Sequence, residues 1–292
     1  IHIENIHSNY IALMPFGYGS MGSEKLKHSS SWQWWGEKEE GIRACALMAK
    51  QKGVQSMIKP QLWFDWGQYT GHFKLEEEEG WLEFEKSYSE FILTYAQVSE
   101  DLNLPVFCIG TELTEFAIIR EAYWRNLIKE VREIYKGNLT YAANWDSYNR
   151  IQFWDDLDYI GVDAYFPLCE SKTPTTKEIQ RGWQEPVLQM RGLSEKFGKQ
   201  ILFTEWGFRS IDYCGKEPWD YEKQNPVNLV AQSNAFEATF RTFWSEEWFA
   251  GGFVWKWFPN DAKVGGEENN QFTPQNKPAE SIISEWFNAY TE

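Results

Sequence analysis

Cys108-Ile109-Gly110-Thr111-Glu112-Leu113 and Ile201-Leu202-Phe203-Thr204-Glu205-Trp206-Gly207 each run as an apolar, strand-like segment that stops at a single glutamate. A near-continuous apolar run of this length suits a parallel strand buried on both faces. An acid at the carboxyl end of such a strand sits where barrel enzymes place catalytic groups. Two of them supply a general acid/base pair.

Working outward, strand-like runs alternate with amphipathic helical ones, the pattern of repeated βα units on a parallel sheet. Strands are expected near Tyr10–Phe16, Val54–Trp63, Pro105–Glu112, Leu139–Trp145, Leu157–Phe166, Gln200–Glu205 and Gly251–Trp257. Helices are expected around Glu37–Lys52, Trp81–Leu102, Glu121–Lys136, Thr176–Phe197, Val227–Trp244 and Pro278–Tyr290. Tyr135-Lys136-Gly137 and Lys196-Phe197-Gly198 read as helix ends, with a cation in the last turn and a glycine after it. The acidic run Glu76–Glu79 reads as a solvated helix start. The fold class is α/β, a (β/α)8 barrel, in one catalytic domain over residues 1–292. Seven strands are one short of closure. The chain opens at Ile1 without methionine, and the reading expects the first strand to lie upstream of it. Ile1–Asn5 is the rival for that strand, but it leaves too few residues before Tyr10 for a crossover helix.

Composition narrows the function. The 292 residues hold 43 acidic and 28 basic side chains, a net charge of −15. That balance disfavours nucleic acid and anionic membrane surfaces but costs a neutral ligand nothing. Seventeen Trp, 14 Tyr and 20 Phe exceed the usual needs of a core this size. Most of these rings belong to the core, yet the surplus offers flat faces for sugar rings. Cys45, Cys108, Cys169 and Cys214 show no CxxC spacing, and the four histidines form no HExxH, so neither a disulfide framework nor a metal site is implied. No run is long and apolar enough for a membrane span. The expectation is a monomer acting on a polysaccharide or oligosaccharide, without metal or organic cofactor, in a compartment that the cysteines leave open.

Alternation along each strand selects the candidate site. It puts Glu112 on the face of Gly110 and Cys108, Glu205 with Phe203, Asn144 with Ala142, Tyr165 with Asp163, Trp257 with Trp255, and Trp63 with Gln61 and Lys59. Glycoside cleavage needs one carboxyl to protonate the leaving oxygen and another to attack C1 or activate water, and Glu112 and Glu205 are placed for this across one pocket. Trp63, Trp206, Trp255 and Trp257 are sugar-platform candidates, with barrel core as the competing reading for Trp255. Tyr165 can donate to the nucleophilic carboxylate and hold it ionised, or serve as a rim aromatic. Lys59, Gln61, Asn144 and Asp163 can bind sugar hydroxyls, although a buried ion pair competes for Lys59.

The order of these segments resembles glycoside hydrolase family 113, within the retaining barrel hydrolases of clan A. The matching segments are Ala12–Gly17, Lys59–Trp63, Ile109–Leu113, Tyr141–Trp145, Thr204–Gly207 and Phe272–Ala279. The resemblance implies β-1,4-mannanase-like activity on a β-linked polysaccharide or oligosaccharide, with Glu112 as acid/base and Glu205 as nucleophile. It also implies that Glu112 ends the fourth strand. Many clan members carry Asn immediately before the acid/base; Thr111 stands there in this chain, so a contact to the sugar 2-hydroxyl is expected from elsewhere, such as Asn144. The alternatives are the same machinery on another β-linked glycan and a barrel that binds sugar without cleaving it.

Overall fold

A computed structural model describes residues 2–290. Seven strands form one parallel sheet: β1 (Tyr10–Leu13), β3 (Gln55–Ile58), β5 (Val106–Thr111), β6 (Asn138–Asn144), β7 (Tyr159–Asp163), β8 (Gln200–Trp206) and β9 (Phe249–Val254), adjacent in that order. Two short strands, β2 (Phe16–Gly19) and β4 (Gln61–Phe64), pair in parallel as a second sheet. The helices are α1 (Glu39–Gln51), α2 (Glu78–Asp101), α3 (Thr114–Ile119), α4 (Glu121–Ile134), α5 (Thr176–Phe197), α6 (Leu229–Phe243) and α7 (Pro278–Tyr290). Strand, helix and neighbouring parallel strand recur along the chain, the construction of a (β/α) barrel.

The first two expected strands each divide in two. Tyr10–Phe16 breaks at Met14-Pro15 and Val54–Trp63 at Lys59-Pro60, because proline has no N–H to donate to the ladder. Pairing resumes immediately beyond, with the Gln61 amide donating to the Pro15 carbonyl at 2.9 Å. The last strand ends at Val254, three residues short of Trp257. His2–Ile6 is a 3-10 turn, not a strand.

The chain divides into two compact units, residues 10–161 and residues 1–9 with 162–292. In the first, α4 shows why helices form where they do. Trp124, Leu127, Ile128 and Val131 recur at helical spacing and are its buried residues. Each such side chain contributes about 1.5–3 kcal/mol. An aromatic chain runs from Phe73 and Phe84 through Phe116 and Trp124 to Tyr141 and Phe153. In the second unit, Trp183 of α5 and Phe243 of α6 meet edge to face at 4.9 Å, and both contact Phe203 of β8. Most of the aromatic surplus is therefore core.

Helix ends are chemical. Thr175 and Glu178 form a reciprocal capping box, and Gly198 takes the left-handed conformation at φ 64°. Gly137 does not close α4, which ends at Ile134 with extended Tyr135. Nor is Glu78 merely solvated: it pairs with Arg120, which also holds Glu85. The short helix α3 follows Glu112 so closely that no periodic pattern announces it.

Candidate active site

In the unit of residues 10–161, Glu112 follows the last residue of β5 directly. Alternation alone would place it on the face of Gly110, but Gly110 turns toward the helices. A Cβ there would lie 2.5 Å from Tyr88 Oη and 2.8 Å from the Trp124 ring, so only glycine fits. The ladder with β6 slips between Cys108 and Thr111, and Glu112 adopts φ 51°. A non-glycine residue in the left-handed region costs of order 1–3 kcal/mol, and such residues gather at functional sites. The surrounding backbone holds it there. The Glu112 amide donates to the Ala142 carbonyl at 2.8 Å, and the next amide, Leu113, donates to Tyr141 Oη at 2.8 Å.

Tyr69 lies beside this strand end. Burial raises the pKa of its phenol, and the charges of Glu112 and Asp146 raise it further, while hydrogen bonds from Thr114 and Asn144 act in the opposite sense. Asn144, at the end of β6, donates to Asp146 at 3.1 Å. The sequence reading selected Asn144 but missed Tyr69 and Asp146. The available signal was their position in loops after barrel strands, where active-site groups concentrate. Lys59 is fully buried, with its amide bonded to Leu13. Gln61 donates to the Met14 sulfur at 3.2 Å. Trp63 is 51% exposed. Thr111 Oγ1 donates to the Pro60 carbonyl at 2.9 Å, tying the start of β4 to the strand that carries Glu112.

In the other unit, Tyr165 Oη donates to Glu205 Oε2 at 2.9 Å. The Glu205 carbonyl accepts from the Ala164 amide at 2.7 Å. Here too alternation misleads. Phe203 faces α5 and α6, and Trp206 packs on Phe236, Phe240 and Trp244, so two residues three apart share the helix side. The ladder with β9 slips between Phe203 and Trp206, and that irregularity frees Glu205 from the parity of Phe203. Gly207 follows because a Cβ there would meet the Trp255 carbonyl at 2.3 Å.

Several candidates in this unit have structural settings. Trp206 is fully buried and offers no open face to a sugar. Asp163 is also fully buried and accepts from Thr204 Oγ1 at 2.7 Å. Trp255 and Trp257 are partly exposed, and the Nε1 of Trp257 is buried without a hydrogen bond. Between them, Lys256 was not foreseen. Burial lowers its pKa while the Glu205 charge opposes that shift, and its ammonium lies 5.0 Å from the Trp255 ring. Gln275, in the segment Phe272–Ala279, donates to and accepts from the Phe258 backbone and so braces the chain after β9. Among the described residues, no group of three His, Cys, Asp or Glu side chains is arranged to hold a metal ion.

A parallel barrel sheet with a glutamate at the end of two strands defines a barrel glycoside hydrolase. The model of Glycoside Hydrolase Family 113 matches residues 2–277, and the chain belongs to that family. Among solved structures, a GH113 beta-mannanase from Alicyclobacillus acidocaldarius is similar at 28% identity, covering 98% of this chain and 90% of that one, with a TM-score of 0.86. A GH113 beta-1,4-mannanase has the same fold at 22% identity, the same coverage and a TM-score of 0.86. A beta-glucuronidase from Bifidobacterium dentium shares the fold at 14% identity, over 98% of this chain and 41% of that one, with a TM-score of 0.60. No curated protein matches the sequence significantly.

Proposed function

We propose that this enzyme is a retaining endo-β-1,4-mannanase, one catalytic domain in which Glu205 is the nucleophile and Glu112 the acid/base. The observation that carries the reading is the Tyr165 hydrogen bond. A phenol donating to Oε2 at 2.9 Å restrains the rotation of the Glu205 carboxylate and favours its ionised form. Lys256 adds a positive charge on the same side chain's neighbourhood. The 28% identical beta-mannanase supports mannan as the substrate class.

In the first step Glu205 attacks C1 and the C1–O bond breaks as Glu112 gives its proton to the leaving oxygen. In the second, Glu112 takes a proton from water, whose oxygen displaces Glu205 from C1 with net retention. No metal or organic cofactor takes part in this scheme. Asn144 is the proposed contact to sugar hydroxyls near Glu112.

The test compares two substitutions on mannan and on an activated aryl mannoside. Glu205→Ala should lose turnover on both, by at least about 10⁴-fold. Glu112→Ala should give a burst on the aryl mannoside followed by slow release, accelerated by azide. Azide rescue of Glu205→Ala with retention instead would reverse the two roles. Product release from xylan or cellulose but not mannan would move the substrate to another β-linked glycan.

A further inference from the structure

Beyond Pro15 and Pro60 the chain makes a small sheet that the chemistry above does not use. Strands β2 and β4 pair Phe16 with Gln61, Gly17 with Leu62, Tyr18 with Trp63 and Gly19 with Phe64. The two faces differ. One is closed: Leu62 and Phe64 are buried, Gly17 lies against Leu26, and Phe64 meets Phe73 at 5.1 Å. The opposite face carries Phe16, Tyr18, Gln61 and Trp63. Trp32 stands edge-on to Tyr18, with ring centroids 4.7 Å apart and planes at 76°.

Two of these rings are exposed, and Tyr18 beside them is half-buried and held. Trp32 is 61% exposed and Trp63 51%. Tyr18 is anchored by donating its hydroxyl to Glu37 at 2.7 Å. Two indoles open to solvent around an anchored phenol on one sheet face form an apolar patch of the kind that marks an interaction surface. Its occupant can be argued. The −15 net charge disfavours an anionic partner. Flat rings fringed by Gln61 and Glu37 match a neutral chain that presents C–H faces and hydroxyls. The face is also continuous with the candidate active site within one unit. Thr111, which precedes Glu112, is bonded to the Pro60 carbonyl, and Trp63 lies three residues further, roughly 10 Å along an extended strand.

We infer that Tyr18, Trp32 and Trp63 form a platform for sugar units remote from the cleaved bond, so that affinity rises with the length of a β-linked glycan. This rests on the hydrolase reading above. Stacking on such rings adds binding without touching the reacting atoms, and long chains are favoured over short ones.

The experiment measures oligosaccharide affinity by calorimetry in a Glu205→Ala background, where substrates persist. Manno-oligosaccharides of two to six units should bind more tightly as they lengthen. Trp63→Ala and Trp32→Ala should each weaken the hexamer by about tenfold and flatten the length dependence, while Trp63→Phe restores part of it. A measurement on the unsubstituted indoles accompanies this: the hexamer, and not the dimer, should protect Trp32 and Trp63 from oxidation, read by peptide mass spectrometry. An unchanged hexamer-to-dimer affinity ratio in both alanine variants, or no protection by the hexamer, overturns the platform. Self-association lost in Trp63→Ala with no glycan length dependence overturns it in favour of a second copy of the chain. Trp63-dependent binding of xylo- or cello-hexaose, with no release from mannan by the unaltered enzyme, keeps the platform and removes the mannanase reading.

Discussion

The two strand ends reach the same kind of position by different local means. At Glu112 the backbone is bent, with a left-handed residue after a slipped ladder, and held by the Ala142 carbonyl and the Tyr141 hydroxyl. At Glu205 the acid stays within its strand, a ladder irregularity before Trp206 re-aims it, and the Tyr165 hydroxyl grips the carboxylate itself. The bend at Glu112 is set by bonds to its own and the next backbone amide, whereas at Glu205 a phenol bonds the carboxylate directly. The difference fits the proposed roles: a nucleophile needs one fixed oxygen, whereas an acid/base must exchange its proton in each half-reaction.

The sharpest way to break this contrast is Tyr165→Phe. Loss of a hydrogen bond to a charged carboxylate is worth about 1.5–3 kcal/mol, so kcat/KM should fall by about 10–150-fold on mannan and aryl mannoside alike. A fall on mannan alone would place Tyr165 with the leaving group instead. Next comes Tyr141→Phe, which strips a buried amide of its acceptor. We expect a stability loss of about 1–3 kcal/mol in denaturant titration. An unchanged midpoint would mean that the bent end does not depend on this bond.

Tyr69→Phe probes the Glu112 side more gently. Its effect should be about tenfold in kcat on mannan and smaller on the aryl mannoside, whose leaving group needs little protonation. Equal losses on both would erase the distinction between the ends.

The smallest effect concerns Lys277, in the unit of Glu205. Burial, and then the charge of Arg209, lowers its pKa to about 7, while its ammonium bonds Ser210 and the Gln271 carbonyl. The unfolded chain binds this proton more tightly, so its contribution to stability rises with pH from about 7 toward the ordinary lysine value. The slope is at most about 1.4 kcal/mol per pH unit. Lys277→Met should flatten that part of the Tm profile between pH 7 and 10; an unaltered profile would assign the slope to other groups.

The alternating pattern of strands and helices was legible in the sequence because burial on a parallel sheet imposes long apolar runs, and amphipathic helices impose their own period. Glu112 and Glu205 stood out because an acid ending such a run is chemically anomalous. Tyr165 was legible as either a donor or a rim aromatic because it lies just past a strand end, and the structure shows the donor. The direction of each side chain was not legible. Alternation places Gly110 and Phe203 beneath the two acids, yet both turn to the helices, since a one-residue slip in a ladder inverts every later assignment. Trp206 read as a sugar surface and is buried on α6, because sequence spacing does not say which side of a strand the neighbouring helix covers.

The chain by itself determined the order of strands and helices, the glycine that closes α5 and the two acids that stand out at strand ends. These follow from local chemistry: burial, a glycine free to turn left-handed, a charge at the end of an apolar run. Tertiary structure alone decided the slip between Cys108 and Thr111, the left-handed turn at Glu112, the approach of Tyr69 and Lys256 to the acids, and which tryptophans face water. Each of these depends on contacts between segments far apart in the chain, whose register is fixed only when sheets and helices pack together.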